Sequence, residues 1–291
     1  MATRLETRPC LDSEAMAAAR RKELDISRSA AARMGAEAVE IAGSGGYRSP
    51  SGASVDISAA VAKAVACKVS IPSEVPLHGP RKAAFDTMTT EVSNETTLGA
   101  ARRLRESGAE PLALNFANGI HPGGGFLSGA RAQEEALCRS SALYATLAGD
   151  AMYAAHARRP APDSTDWCIL SPAVPVFRAD DGSLLEEPWL LSFITCAAPV
   201  ASRIGEAAAA GLMKKRIARV LEVAAAYGYE ALVLGAWGCG AFGNDARETA
   251  RSFVESLSGP FRGCFKHVVF AVTDWSEERR FLGPFRDAIS E

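Results

Sequence analysis

The sequence predicts an α/β protein built on a largely parallel or mixed sheet. Two observations carry that fold class. Short apolar runs of strand length alternate with stretches of helical spacing along the second two-thirds of the chain. Both glycine-rich loops, at 119–125 and 235–243, follow directly on apolar runs. That places them at the carboxyl ends of strands, where open α/β sheets bind ligands. A chain of 291 residues can bury a large core as one large domain or two small ones.

Composition narrows the function classes. A hydrophobic fraction of 48% and a charged fraction of 23% are those of an ordinary soluble protein. The formal net charge of −2 provides no global basic field for nucleic acid, so an anionic ligand must be held by local donors. Seven cysteines stand singly with no CxxC, which predicts reduced thiols and a cytoplasmic setting. The four histidines are far apart and no metal-ligand spacing occurs, so neither metal nor cofactor is expected. The polar, charged N-terminus is unlike a signal peptide, and no apolar run reaches membrane-spanning length.

Taken in order, residues 1–11 read as loose, followed by one helix capped at Asp12 or Ser13 and running into the alanines of the 30s. Residues 38–41 read as a strand, 43–47 as a turn and 55–66 as a helix. Pro72, Pro76, Gly79 and Pro80 break the chain and mark a soft boundary. A strand at 89–93 leads to Asn94, the expected cap of a helix over 95–106. After the central stretch described next, helix continues over 144–157, then a strand over 167–170. A hairpin with Asp180-Asp181-Gly182 at an exposed turn follows. A strand at 190–195 precedes a helix over 204–227 with Lys214, Lys215, Arg216 and Arg219 exposed. Strands at 231–234 and 267–272 alternate with helices to 257 and over 276–289.

The central stretch is a strand over 112–116, then Asn115-Phe116-Ala117-Asn118, Gly123-Gly124-Gly125, seven residues, and Gln133-Glu134-Glu135 opening a helix. Leu137, Ser141, Tyr144 and Ala148 continue along one side of that helix. Glycine amides unshielded by side chains can donate to phosphate oxygens, and a helix start beside them adds free N–H groups. The amides of Asn115 and Asn118 suit sugar hydroxyls. Neighbouring carboxylates on a helix point in different directions, so one can reach a scissile bond while the other positions something nearby. Glycoside cleavage needs such a protonated carboxyl beside the leaving oxygen.

The second informative stretch runs from Gly235 to Asp245. Its four glycines at 235, 238, 240 and 243 suit an anion nest, with Asn244 or Asp245 capping the next helix. Phe242 among the glycines fits a core plug or a cover over a ribose or base. Cys239 has no histidine nearby in sequence and reads as a packed thiol rather than a nucleophile.

The order GGG, seven residues, QEE resembles the signature of poly(ADP-ribose) glycohydrolases, and the surroundings resemble the microbial branch. The resemblance implies a three-layer α/β/α macrodomain-like mixed sheet, with a mainly helical extension over 1–85 packed on a catalytic core over 86–291, or one domain over 1–291. It implies cleavage of ribose–ribose O-glycosidic bonds of poly(ADP-ribose), free or on ADP-ribosylated proteins, with ADP-ribose as product and no membrane or nucleic-acid partner. Glu135 would be the general acid, Glu134 would hold ribose hydroxyls, and Asn118 would orient the distal ribose. Gln133 would contribute to substrate binding. Gly123, Gly124 and Gly125, with Gly238, Cys239, Gly240, Ala241 and Phe242, would cradle the diphosphate. Two alternatives are an ADP-ribose reader without cleavage and a hydrolase of mono-ADP-ribosyl linkages.

Overall fold

The computed structural model describes residues 3–77 and 84–290. β1 (Arg4–Thr7) stands where the sequence predicts loose backbone. Its side chains are exposed, and it is held by parallel pairing to the later strand Thr87–Ser93, a contact invisible to local pattern. The single expected helix is two, α1 (Glu14–Glu23) and α2 (Arg28–Ser44). Ser13 caps the first by accepting from the Met16 amide, and Ser27 caps the second by accepting from the Ala30 amide. Residues 38–41, expected as a strand, lie inside α2. Ala38 and Ile41 are three apart on its buried face, so their apolar character reports helix packing.

β2 (Gly46–Arg48) and β3 (Ser54–Asp56) form a small antiparallel hairpin, followed by α3 (Ser58–Cys67) and β4 (Val69–Ile71). Of the four expected chain breakers, Gly79 and Pro80 lie outside the described residues. β5 (Thr87–Ser93) leads into α4 (Thr97–Glu106), whose cap is Thr96, accepting from the Gly99 amide, and not Asn94. Asn94 is buried and bridges Asp12 to the backbone of Asp274 instead.

β6 (Pro111–Ala117) is followed by α5 (Gln133–Ser140), α6 (Leu143–Leu147) and α7 (Ala151–Ala157) where one continuous helix is expected. Ser141 is extended and bridges to Val176, so Leu137, Ser141, Tyr144 and Ala148 do not share one helix face. β7 (Cys168–Arg178) and β8 (Leu184–Ala197) make a long hairpin. α8 (Ala201–Ile204) and α9 (Glu206–Ala226) come next. Lys214 and Lys215 are exposed, but Arg216 and Arg219 are buried, contrary to expectation. Arg216 donates to the Asp163 carbonyl and Arg219 to the carbonyls of Pro72 and Val75, which offsets the cost of burying each guanidinium. β9 (Ala231–Leu234), α10 (Ala246–Ser258), β10 (His267–Ala271) and α11 (Leu282–Ser290) complete the chain.

Eight strands form one sheet in the order β1-β5-β10-β9-β6-β8-β7-β4. Every neighbouring pair is parallel except those made by β7, so the sheet is mixed. Side chains alternate between its faces. Leu112 and Leu114 of β6 join one apolar cluster with α9, α10 and α11, while Ala113 joins another with α2 to α6. Helices thus cover both faces, a three-layer α/β/α arrangement. The parallel strands bring the ends of β5, β6, β8, β9 and β10 to one margin, where the site lies.

Candidate active site

A cavity of about 770 Å³ opens along that margin. Its floor includes Phe116, Ala117 and Asn118 from the exit of β6, and Glu134 and Glu135 from the first turn of α5. One wall is the loop after β9, and another is formed by Trp275 and Phe281 beyond β10.

The glycine triplet and the glutamate pair are one unit. Gly124 has φ +58, and a Cβ there would lie 2.3 Å from Glu135 Oε1, so only glycine lets the loop lie against the carboxyl. The Gly125 amide donates to Glu135 Oε1 at 3.0 Å, and the Gly124 amide donates to the His121 carbonyl at 2.9 Å. Glu134 Oε2 accepts from the Asn118 amide at 2.7 Å, and Oε1 accepts from Asn115 Nδ2 at 3.3 Å. The Gly123 amide adds a further bond to Glu134. The triplet's amides therefore serve the protein's own carboxyls and loop.

Both glutamates are buried, Glu134 at 3% exposure and Glu135 at 9%. Burial pushes Glu134 up to about 8, opposed by the Asn118 amide and assisted by the neighbouring Glu135 charge. At neutral pH the pair accordingly retains a proton. The two differ in their bonding. Glu134 is held through both oxygens, whereas Glu135 Oε2 has no hydrogen-bond partner.

Other expected contacts change role. Gln133 lines the cavity, but its amide is already engaged. Oε1 accepts from the Phe116 amide, and Nε2 donates to Thr97 Oγ1 and the Leu114 carbonyl. It clamps α5 to β6 and α4. Asn118 Oδ1 accepts from the amides of Ile120 and His121, closing the loop ahead of the triplet. Its Nδ2 donates to no protein group among the described residues. Asn115 is fully buried between Glu134 and Thr195, so it supports the carboxyl and does not reach a sugar.

The loop after β9 matches its expectation more closely. Gly238, Gly240, Ala241 and Phe242 line the cavity, and among the described residues none of their four amides has a protein acceptor. Gly238, at φ +75, packs so closely that a Cβ would meet Asn244 Nδ2 at 2.6 Å and Ala198 Cβ at 2.7 Å. Asn244 holds the loop's shape by donating to the carbonyls of Pro199 and Gly238, and Asp245 caps α10. Cys239 turns away from the cavity. Its Sγ lies 3.6 Å from the Trp237 carbonyl, and burial pushes the thiol up to about 12, so no thiolate nucleophile forms there.

Sequence reasoning missed several cavity residues. Arg21 comes from the last turn of α1 and Leu24 and Asp25 from the turn after it, and Arg131 ties that turn to α5 by donating to the Ile26 carbonyl. Asp181 is exposed as expected, but Asp180 is half-buried, accepts from Thr96 Oγ1 at 2.6 Å and faces the cavity. No local signal distinguishes Asp180 from its neighbour; only the closing of the hairpin over α4 does. Among the described residues no group of histidines, cysteines and carboxylates could hold a metal ion. No helix there is long and apolar enough to cross a membrane.

A family model described as microbial-type PARG, catalytic domain, matches residues 35–179. Among solved structures the chain is similar to poly(ADP-ribose) glycohydrolase (PARG) from Thermomonospora curvata. Identity is 43% over 89% of this chain and 98% of that one, with a TM-score of 0.81. The same enzyme bound to the inhibitor ADP-HPD is 45% identical over 88% and 98%, with a TM-score of 0.80. PARG from Deinococcus radiodurans in complex with ADP-ribose is 38% identical over 81% and 98%, with a TM-score of 0.74. No curated protein matches the chain.

Proposed function

The chain belongs to the microbial-type poly(ADP-ribose) glycohydrolase family, and we propose that it cleaves ribose–ribose O-glycosidic bonds of poly(ADP-ribose) with Glu135 as general acid and base. The pairing of a fully held carboxyl with one that has a free oxygen supports this assignment. The unspent amides of Gly238, Gly240, Ala241 and Phe242 receive the diphosphate of the unit being removed. Phe242, half-buried on the cavity wall, covers its sugar or base. Asn118 offers Nδ2 to the distal ribose, and Glu134 offers its remaining lone pair to a ribose hydroxyl.

In the reaction, the bond from the anomeric carbon to the leaving ribose oxygen breaks as that oxygen takes the Glu135 proton. The resulting cation-like sugar lies beside Glu134 and the diphosphate. Water then attacks the anomeric carbon and gives its proton to Glu135, restoring the acid. Free thiols at all seven cysteines support a reducing, cytoplasmic setting. Arg21, Leu24 and Asp25 line the cavity, which supports treating the extension over 1–85 as part of the catalytic unit.

The test is release of free ADP-ribose from purified poly(ADP-ribose) in metal-free buffer by the wild type and Glu135→Gln. Cleavage by the wild type, lost in a variant that still binds ADP-ribose, is expected. Binding without cleavage by both proteins would make the chain a reader or assign it to mono-ADP-ribosyl linkages. Equal cleavage by both would remove Glu135 from the acid role.

A further inference from the structure

Behind the cavity, a buried histidine grips the turn that carries Asn118. His156 lies near the end of α7 and is only 4% exposed. Its ring is bonded at both nitrogens. Nδ1 lies 3.0 Å from the Gly119 carbonyl oxygen, a group that can only accept. Nε2 lies 3.2 Å from the Thr165 amide nitrogen, a group that can only donate, and 2.8 Å from Thr165 Oγ1. The two backbone partners together fix the tautomer: Nδ1 carries the proton and Nε2 accepts. Thr165 Oγ1 accepts from the Trp167 amide at 3.3 Å, which leaves its own proton for Nε2. Burial, with Arg216 and Arg159 close by, holds the imidazole below its ordinary pKa against the opposing pull of the Gly119 bond and Asp163.

Gly119 is pressed against the same structure. A Cβ there would lie 2.2 Å from Ser164 Oγ and 3.4 Å from Ala197 Cβ. The segment over 158–167, between α7 and β7, is itself anchored. Arg159 pairs with Asp163 at 2.6 and 2.5 Å, and Arg216 of α9 donates to the Asp163 carbonyl and lies 3.5 Å from Asp166. The Trp167 indole donates to Ser70 at 2.8 Å. On the other side of Gly119 stands Asn118. Its amide donates to Glu134, and its Oδ1 accepts from the amides of Ile120 and His121. With Oδ1 spent inside the turn, the direction of Nδ2 follows from where the Gly119 peptide sits.

Resting on the glycohydrolase reading, we propose that His156 is a positioning residue, whose Nδ1–H holds the Gly119 carbonyl and so aims the Asn118 amide group at the distal ribose. It touches no reacting atom. The donor at Nδ1 matters here, not the bulk of the ring. Asparagine places a side-chain N–H near the position of Nδ1, and glutamine places one near Nε2. His156→Gln is expected to lower kcat on poly(ADP-ribose) by about tenfold or more through misplacement of Asn118. ADP-ribose affinity should stay within about threefold of wild type, because the loop after β9 is untouched. His156→Asn is expected to recover most of the lost kcat. Asn118→Asp keeps the Oδ1 acceptor that closes the turn and removes the Nδ2 donor. In that background, adding His156→Gln should cost nothing more. A histidine that only supported the fold would give losses that multiply, with asparagine and glutamine equally poor.

Single-turnover cleavage and calorimetric titration with ADP-ribose read these outcomes. Wild-type kcat in His156→Gln, equal losses in the asparagine and glutamine variants, or multiplying losses in the double variant overturn the proposal. If His156→Gln does not fold, the turn can be displaced from its other contact. Gly119→Ala drives a Cβ into Ser164 Oγ and is expected to lower kcat similarly. Ser164→Gly, at a position with φ 54 that suits glycine, should relieve that loss, and failure to do so is fatal. A wild type that releases no ADP-ribose would instead sink the glycohydrolase reading. Ring 15N NMR without substrate then judges the histidine lock: Nδ1 protonation is expected, and an Nε2-protonated ring overturns it.

Discussion

In the loop after β6, the amides of Gly123 and Gly125 point at the protein's own glutamates. In the loop after β9, those of Gly238, Gly240, Ala241 and Phe242 meet no protein acceptor among the described residues. Both loops are rich in glycine, and both follow buried strands of one sheet. Their glycines answer different needs. The first loop needs close approach so that backbone can grip carboxyls. The second needs bare amides presented to solvent, where an anion can take them. Glycine content alone identifies a place where backbone comes near something; what it comes near is settled by tertiary structure.

The largest way to sharpen this contrast is Glu135→Gln. Loss of a general acid is expected to lower kcat by about 10³-fold while ADP-ribose binding persists, read by single-turnover cleavage alongside calorimetric titration. Next come two glycine substitutions with separate outcomes. Gly124→Ala drives a Cβ into Glu135 Oε1 and is expected to cost about 100-fold in kcat with ADP-ribose affinity retained. Gly238→Ala disturbs Asn244 and the anion loop and is expected to weaken ADP-ribose binding about tenfold, the worth of one hydrogen bond to a charged group. If Gly124→Ala instead weakened binding and spared kcat, the division of labour between the loops would be wrong.

A smaller effect concerns pH and stability. Folding raises Glu134 from 4.5 to about 8, so the folded protein keeps a proton that the unfolded chain loses earlier. Raising the pH through that window strips the proton from a buried carboxyl, so this contribution lowers stability from pH 4.5 upward and levels off above about 8. Glu134→Gln should flatten that part of the Tm–pH curve; an unchanged slope would place its origin elsewhere. The smallest effect is at Cys239. With its thiol at about 12, Cys239→Ala should leave kcat unaltered, and alkylating reagents should not inactivate the native enzyme through this residue. Loss of activity in the alanine variant would reopen the cysteine question.

The α/β alternation, the strand ends and both loops were legible because they depend on local periodicity and on glycine. The division between α1 and α2 was legible in principle, since Ser27 is a good cap. It was obscured by the uninterrupted alanine content around it. Arg216 and Arg219 could not be recognised as buried, because their acceptors are carbonyls at Asp163, Pro72 and Val75, far away in sequence. Gln133 and Asn115 have protein partners that the sequence does not reveal. Their polar groups are consumed by neighbours that only the folded chain brings near, and a sequence records a side chain's capacity for hydrogen bonds, not who uses it.

The order of the sheet has a consequence for how the protein is made. Its two outermost strands, β1 and β4, both come from the first 77 residues, yet they border opposite margins. β4 pairs with β7, whose residues emerge about a hundred positions later. Ribosomal synthesis therefore delivers the borders before the interior they enclose, and the early segment must wait with unpaired backbone until the central strands exist. An N-terminal truncation would strip both borders at once, exposing two strand edges able to recruit another chain. Aggregation, more than loss of chemistry, is the failure to expect from such a shortened protein.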